Sequence, residues 1–288
     1  MTTEKGIALV ERDEDGVDKA FRQDVLAGLR QQPKAIPARW FYDEEGSRLF
    51  EKITQVEEYY PTRAETEILT ARGAEFAKLM GPGRAVVEFG SGSSVKTPLL
   101  LEAIAPAAYV PLDISGDFLR ESAAGLAQKF PGLPVHPVEA DFMRRVTLPE
   151  AVEPLARLGF FPGSTIGNMV PRTAVDLLRS MRATLGADEG EGDSAMLLIG
   201  MDLVKDRKVL EAAYDDADGV TGAFNKNLVT RINRELEGTI PADALKFPRR
   251  SANMLLLAGG WTPVKRWTDS AKRFSLILAR ATEQREAP

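Results

Sequence analysis

Residues 86–94 read Val-Val-Glu-Phe-Gly-Ser-Gly-Ser-Ser, and the fold turns on how they are read. A short apolar run at 85–89 enters a glycine-rich turn, and a helical pattern follows from about residue 97. Glycine lets backbone approach a ligand without a Cβ in the way, and a helix N-terminus offers N–H groups that no helical carbonyl takes. The full dinucleotide fingerprint is absent, because Val95 stands at the third glycine position. The shorter Glu88-x-Gly90-x-Gly92 turn suits S-adenosylmethionine (SAM), which has no pyrophosphate to cradle. Taken alone, the turn reads equally well as an ordinary tight strand-to-helix connection.

Outward from this turn, short apolar runs at 85–89, 108–112, 133–138, 164–167 and 195–200 alternate with helical patterns near 97–105, 117–129, 172–185 and 205–236. Such alternation predicts an α/β fold with a parallel sheet and helices on both faces. The tail differs: 261–267 and 274–281 read as two strands joined by Thr268-Asp269-Ser270-Ala271, a closing hairpin on the sheet edge. By analogy this is the Rossmann-like sheet of SAM-dependent methyltransferases. Residues 1–80 read as helical and rich in polar side chains. Thr62-Arg63-Ala64-Glu65 has the form of a capping box that opens a helix. Ala64, Ile68, Leu69, Phe76, Leu79 and Met80 then follow helical spacing until Gly81-Pro82-Gly83 stops it. The low-complexity stretch at 186–193 reads as an exposed loop.

Two carboxylates favour a nucleoside site over a bare turn. Asp113 ends the second strand pattern, 21 residues past Gly92, where it can accept from both hydroxyls of a ribose. Asp141 follows the third strand pattern, placed to accept from an adenine amino group, with Phe142 beside the ring. Each Asp taken singly reads as a helix N-cap. Three such features in one order, each at a strand's C-terminal end, are hard to obtain by chance.

Other residues carry two readings. Lys96 suits a cofactor carboxylate and equally a solvated surface. Asn168, in Gly163-Ser164-Thr165-Ile166-Gly167-Asn168, puts an amide on the cofactor side of the sheet, although turn chemistry before Pro171 also explains it. Tyr59-Tyr60-Pro61 reads by default as aromatic packing between helices, and His136 as a core or edge residue without a catalytic role.

Composition sets limits. The chain of 288 residues is 44% hydrophobic and 27% charged, ordinary values for a soluble globular protein. Its net charge of −5, with no basic run longer than a pair such as Arg144-Arg145 or Arg249-Arg250, argues against a nucleic-acid partner. With no cysteine, disulfides, thiolate nucleophiles and Cys-ligated zinc are excluded, and a single histidine cannot build a multi-histidine metal site. No run reaches the roughly 18 apolar residues of a membrane span, and the polar start is unlike a signal peptide. The expectation is a cytoplasmic, metal-free monomer that acts on a small molecule.

At these residues the chain resembles a known family, the histidine N-α-methyltransferases of ergothioneine biosynthesis. The likeness runs from about residue 36 to 237. It rests on FYDEEGSRLFEKIT at 41–54, EYYPTRAE at 58–65, EFGSGSSVKT at 88–97, VPLDIS at 110–115 and FFPGSTIGN at 160–168. LVKD at 203–206 and AAYDDADGVTGAFNKN at 212–227 complete it. The resemblance implies that Tyr42, Gly90, Lys96, Asp113, Asp141 and Phe142 contact SAM. It implies further that Tyr59, Asn168 and Tyr214 hold the α-amino and α-carboxylate groups of the acceptor, Asn168 and Tyr214 orienting the amine for transfer. No strong general base is evident, so the proton is expected to leave to water.

The resemblance also implies a second domain, giving segments at 1–62 (helical part of the substrate domain), 63–200 (SAM-binding), 201–250 (substrate domain, shortened) and 251–288 (strands completing the sheet). After Glu237 the family continues through strands carrying a Gly-Glu-Glu…Thr-Glu-Val-Ser stretch whose Glu and Ser read the imidazole. Here Gly238 to Leu245 leads straight to Lys246-Phe247-Pro248, so the substrate domain is reduced. The expected activity is SAM-dependent N-methylation of an amino acid, by family histidine. The alternatives are a different amino acid or small amine, or a SAM-binding relative without catalysis.

Overall fold

The structure, a computed structural model, describes residues 16–32, 34–92, 96–186, 195–241 and 261–281. Three stretches discussed above, 93–95 after the glycine turn, the loop at 187–194 and the segment 242–260, lie outside the described residues. The described helices are α1 (Lys19–Arg30), α2 (Glu44–Gln55), α3 (Tyr60–Met80), α4 (Thr97–Ile104), α5 (Gly116–Lys129), α6 (Pro171–Thr184), α7 (Arg207–Tyr214) and α8 (Val220–Glu235). The strands are β1 (Ala85–Phe89), β2 (Ala108–Asp113), β3 (Val138–Glu139), β4 (Arg157–Phe161), β5 (Met196–Asp202), β6 (Trp261–Thr268) and β7 (Phe274–Ala281). The chain divides into two compact units, one of Met1–Tyr59 with Asp206–Arg249 and one of Tyr60–Lys205 with Arg250–Pro288.

The second unit carries the sheet, in the order β3-β2-β1-β4-β5-β7-β6. β1 to β5 pair in parallel, whereas β7 lies antiparallel between β5 and the edge strand β6. A parallel sheet covered on both faces needs strands that are apolar on both sides, and β1 is buried along its whole length. Ala85, Val87 and Phe89 pack on one face with Ala174, Leu177, Leu178 and Met181 of α6. Val86, between them, faces the other side with Ile68, Leu69 and Phe76 of α3 and Leu100 and Leu101 of α4. The chain therefore folds as the expected Rossmann-like α/β sheet closed by a hairpin.

Several local expectations change. The run at 164–167 is no strand: Thr165–Asn168 forms a 3₁₀ turn, and the fourth strand is Arg157–Phe161. The sequence hides that strand behind Gly159, which the packing needs, since a Cβ there would lie 2.8 Å from Leu185 Cδ1 and 3.0 Å from Leu197 Cδ1. The third strand shrinks from 133–138 to Val138–Glu139, with one further bridge at Val135, because Pro134 and Pro137 have no N–H for the ladder. α3 begins at Tyr60 and so contains Thr62, and Glu65 turns inward instead of closing a capping box. Among the apolar positions expected along that helix, Leu79 is exposed.

In the first unit, Phe21 and Val25 of α1 pack with Trp40, Phe41 and, from α8, Leu228 and Ile232. The single helix expected over 205–236 is two helices. Gly219 adopts a left-handed φ of +70°, and the Asp216 carboxylate caps α8 by accepting from Val220 N at 2.7 Å and Thr221 N at 2.8 Å. Asp43 caps α2 through Gly46 N and accepts from Asn227 Nδ2 on α8 at 2.7 Å, which joins the two helices.

Candidate active site

Strand order reverses between β1 and β4, and in open α/β sheets the crevice at such C-terminal strand ends takes the ligand. The glycine turn leaves β1 there. Gly90 and Gly92 take left-handed φ values of +73° and +43°, so side chains would be strained at both. Gly90 N and Ser91 N both donate to Leu112 O, at 2.8 and 3.1 Å, tying the turn to the end of β2. A Cβ on Gly90 would touch the Phe142 ring at 3.5 Å. That ring stands edge-on to Phe89 and Phe161, with centroids 6.2 and 6.0 Å away.

Asp113 closes the same rim. Its Oδ2 accepts from Gly92 N at 3.1 Å and its Oδ1 from Ser115 N at 2.9 Å, while Ser115 itself is the N-cap of α5. The helix-cap reading of Asp113 is therefore replaced: its carboxylate braces the glycine turn. Burial raises its pKa above the usual carboxylate value, and the N–H groups of Ser115 and Gly92 work against that rise. Asp141 accepts from Met143 N at 3.0 Å, a local Asx turn that sets the carboxylate beside Phe142. Gly92 and Asp113 are thus hydrogen-bonded at the C-terminal ends of β1 and β2, with Gly90 tied to Leu112 O and the Phe142 ring and Asp141 nearby.

Lys96 precedes α4 and forms an ion pair with the buried Glu65 of α3. Glu65 Oε2 also accepts from Gly163 N at 2.9 Å, in the turn that leaves β4. That turn is unusual, since Gly163 and the non-glycine Ser164 both have positive φ, +80° and +58°. Strained backbone of this kind clusters at functional sites. Ser164 Oγ accepts from Asp202 N at 2.8 Å, and four residues on, Asn168 ends the 3₁₀ turn with its side chain exposed. Asp202 in turn accepts from the Tyr60 hydroxyl at 2.7 Å and pairs with Lys205. His136 is half-buried and its N–H donates to Tyr109 O at 2.8 Å, a sheet contact.

The tyrosines of the first unit meet in one aromatic cluster. Tyr59 stands edge-on to Tyr214 at 5.8 Å and to Phe50 at 6.3 Å. Tyr42 stands edge-on to Phe50 at 5.5 Å and to Phe224 at 5.4 Å. The packing reading of Tyr59 holds within this cluster, whereas Tyr60 belongs to the second unit through Asp202.

Sequence reasoning missed two acidic residues. Glu65 shares a helical stripe with Leu69 and Phe76, and a carboxylate on an apolar stripe is the signal that was masked by the capping-box pattern. Glu88, inside the quoted stretch, is buried and accepts from Thr97 Oγ1 at 2.7 Å and the Tyr109 hydroxyl at 2.6 Å. Burial pushes its pKa up from 4.5 to about 7, against the lowering effect of those two hydroxyls. The native state then holds a proton that the unfolded chain has released, so stability falls as pH rises from about 4.5 to about 7 and levels off above. Glu88→Gln removes that titration. Melting temperatures should show the variant gaining on the parent between pH 5 and pH 8, by the order of 3 kcal/mol at the upper end.

Gly200 of β5 makes room for Glu65. A Cβ there would lie 2.4 Å from Glu65 Oε1, 2.9 Å from Phe274 Cζ and 3.2 Å from Gly163 N. Gly200→Ala should cost about 1–3 kcal/mol in chemical denaturation, and an unchanged midpoint would show that Glu65 moves freely.

The sheet order, the antiparallel β7 and the rim of glycines and Asp113 define the SAM-dependent methyltransferase class. Mitomycin 7-O-methyltransferase shares this fold, with a TM-score of 0.51 at 14% identity over 91% of this chain and 67% of that one. The chain belongs to the histidine-specific, SAM-dependent methyltransferase family, which matches it over residues 21–245. Histidine N-alpha-methyltransferase of Mycolicibacterium smegmatis is 38% identical over 94% of this chain and 78% of its own length. The same enzyme of Mycobacterium tuberculosis is 39% identical with the same coverage. The protein is therefore an enzyme that uses SAM as methyl donor. Among the described residues no helix is long and apolar enough to cross a membrane.

Proposed function

We propose that this enzyme methylates the α-amino group of L-histidine. The observation that carries the cofactor half is the Asp113 carboxylate braced on Gly92 N–H, in a glycine turn whose Gly90 and Gly92 hold left-handed φ values of +73° and +43°. This donor set fits the cofactor: an acceptor for ribose hydroxyls at Asp113, a second carboxylate at Asp141 with Phe142 next to it for adenine, and a cation at Lys96 for the amino-acid carboxylate. Gly90 allows the close approach, and a further contact is assigned to Tyr42 on the family resemblance alone. When bound, SAM supplies a methyl group on a sulfonium.

The protein's own task is placement. An ammonium has no lone pair and is repelled by the sulfonium, so the acceptor amine must be held neutral and in line with the methyl group. Asn168 and Tyr214 are assigned to orient that amine and Tyr59 to hold the carboxylate, with the proton passing to water. Positioning of this kind lowers a barrier by up to about 7–11 kcal/mol in the best cases.

A second reading, transfer to a different amino acid, is motivated by the family resemblance, which implies a shortened substrate domain without the imidazole-reading stretch after Glu237. Incubation with SAM and a panel of amino acids, followed by mass spectrometry, separates the two. The expected product is histidine heavier by one or more methyl groups. Turnover of another amino acid alone supports the second reading, and SAM binding without any turnover contradicts both. We read the enzyme as a cytoplasmic monomer without a nucleic-acid partner, in keeping with its net charge of −5. Sedimentation at a dimer's mass would overturn the monomer assignment.

A further inference from the structure

We propose that Glu65 is the resident counter-ion of Lys96, a positioning residue that loosens the enzyme's hold on the amino-acid end of its cofactor. The inference rests on the reading of Lys96 as partner of the cofactor carboxylate. Glu65 is 0% exposed, and one oxygen serves two donors, Lys96 Nζ and Gly163 N–H at 2.9 Å. The other oxygen, Oε1, has no hydrogen-bond partner among the described residues and lies against Gly200.

Burying a carboxylate with one oxygen unpartnered is costly, and a buried ion pair is weak support for stability. Packing alone therefore gives no reason for the pair, whereas its location does. Lys96 Nζ lies 3.6 Å from where a Cβ on Gly163 would stand, at the β1/β4 strand ends where the sheet takes its ligand. A carboxylate arriving there must compete with Glu65 for the charge of Lys96. The cofactor before transfer and its product after transfer carry the same amino-acid end, so weakening that end eases the departure of S-adenosylhomocysteine. The oxygen that shares Lys96 also pins the Gly163 turn that leads to Asn168, which keeps the turn in place while the lysine changes partner.

Calorimetry with two ligands tests this: S-adenosylhomocysteine and its decarboxylated form, which keeps the nucleoside and the amine. Glu65→Gln retains size and an acceptor oxygen but no charge. It should bind S-adenosylhomocysteine about tenfold more tightly, with the decarboxylated form unchanged. In a Lys96→Met background the same substitution should bring no gain. An unchanged or weaker affinity for S-adenosylhomocysteine overturns the role of Glu65, and so does parallel weakening of both ligands, the mark of a purely structural residue. If Lys96→Met itself leaves discrimination between the ligands intact, the reading of Lys96 falls, and this inference with it. Should Glu65→Gln fail to fold, Glu65→Asp keeps the charge but withdraws it by one methylene. A smaller gain in the same direction is then expected, and no gain overturns the role.

Discussion

Replacing Asp113 by Ala should weaken SAM binding by about a hundredfold, as measured by equilibrium dialysis. Two contributions combine. The ribose loses a charged acceptor, and hydrogen bonds to charged groups contribute roughly 1.5–3 kcal/mol. The Gly92 N–H loses the carboxylate that fixes the glycine turn, so the turn must be ordered at the expense of binding. Asp113→Asn keeps one acceptor oxygen and should fall between the parent and the alanine variant. A change of less than about threefold for Asp113→Ala would remove this residue from the nucleoside site.

Asn168→Ala should leave SAM affinity nearly unchanged and cut the methyl-transfer rate by a hundredfold or more, since small misplacements of reacting groups cost about that much. The side chain is exposed at the end of its 3₁₀ turn, and its backbone is set by bonds that the substitution does not touch, Glu65 on Gly163 N and Ser164 Oγ on Asp202 N. Fold damage is therefore not expected, and single-turnover kinetics at saturating SAM isolates the effect. Equal rates would strip Asn168 of its assigned role.

Much of this enzyme is legible in its sequence where local pattern and tertiary need agree. β1, β2, β5 and the closing hairpin are apolar runs of strand length bounded by turn residues, and they form close to their expected limits. The pattern fails where a residue serves a distant neighbour. Gly159 reads as a strand breaker but exists to admit Leu185 and Leu197, so β4 was invisible. Glu65 reads as a capping residue but belongs to Lys96 and Gly163, the latter 98 positions away. No window of sequence contains that pairing. Asp113 was the better case: its 21-residue offset from Gly92 follows from the strand–helix–strand repeat, and the two are hydrogen-bonded. The tyrosines were reachable only through family likeness, because Tyr42, Tyr59 and Tyr214 come together by way of Phe50 and Phe224 from three separate segments.

The most direct test is a crystal structure of the enzyme with S-adenosylhomocysteine. The ribose hydroxyls should lie within hydrogen-bond distance of the Asp113 carboxylate, with adenine between Asp141 and Phe142 and the thioether over Gly90. A nucleoside bound anywhere else, with Asp113 still engaged only by backbone N–H groups, would contradict the assignment of this strand-end rim as the cofactor site.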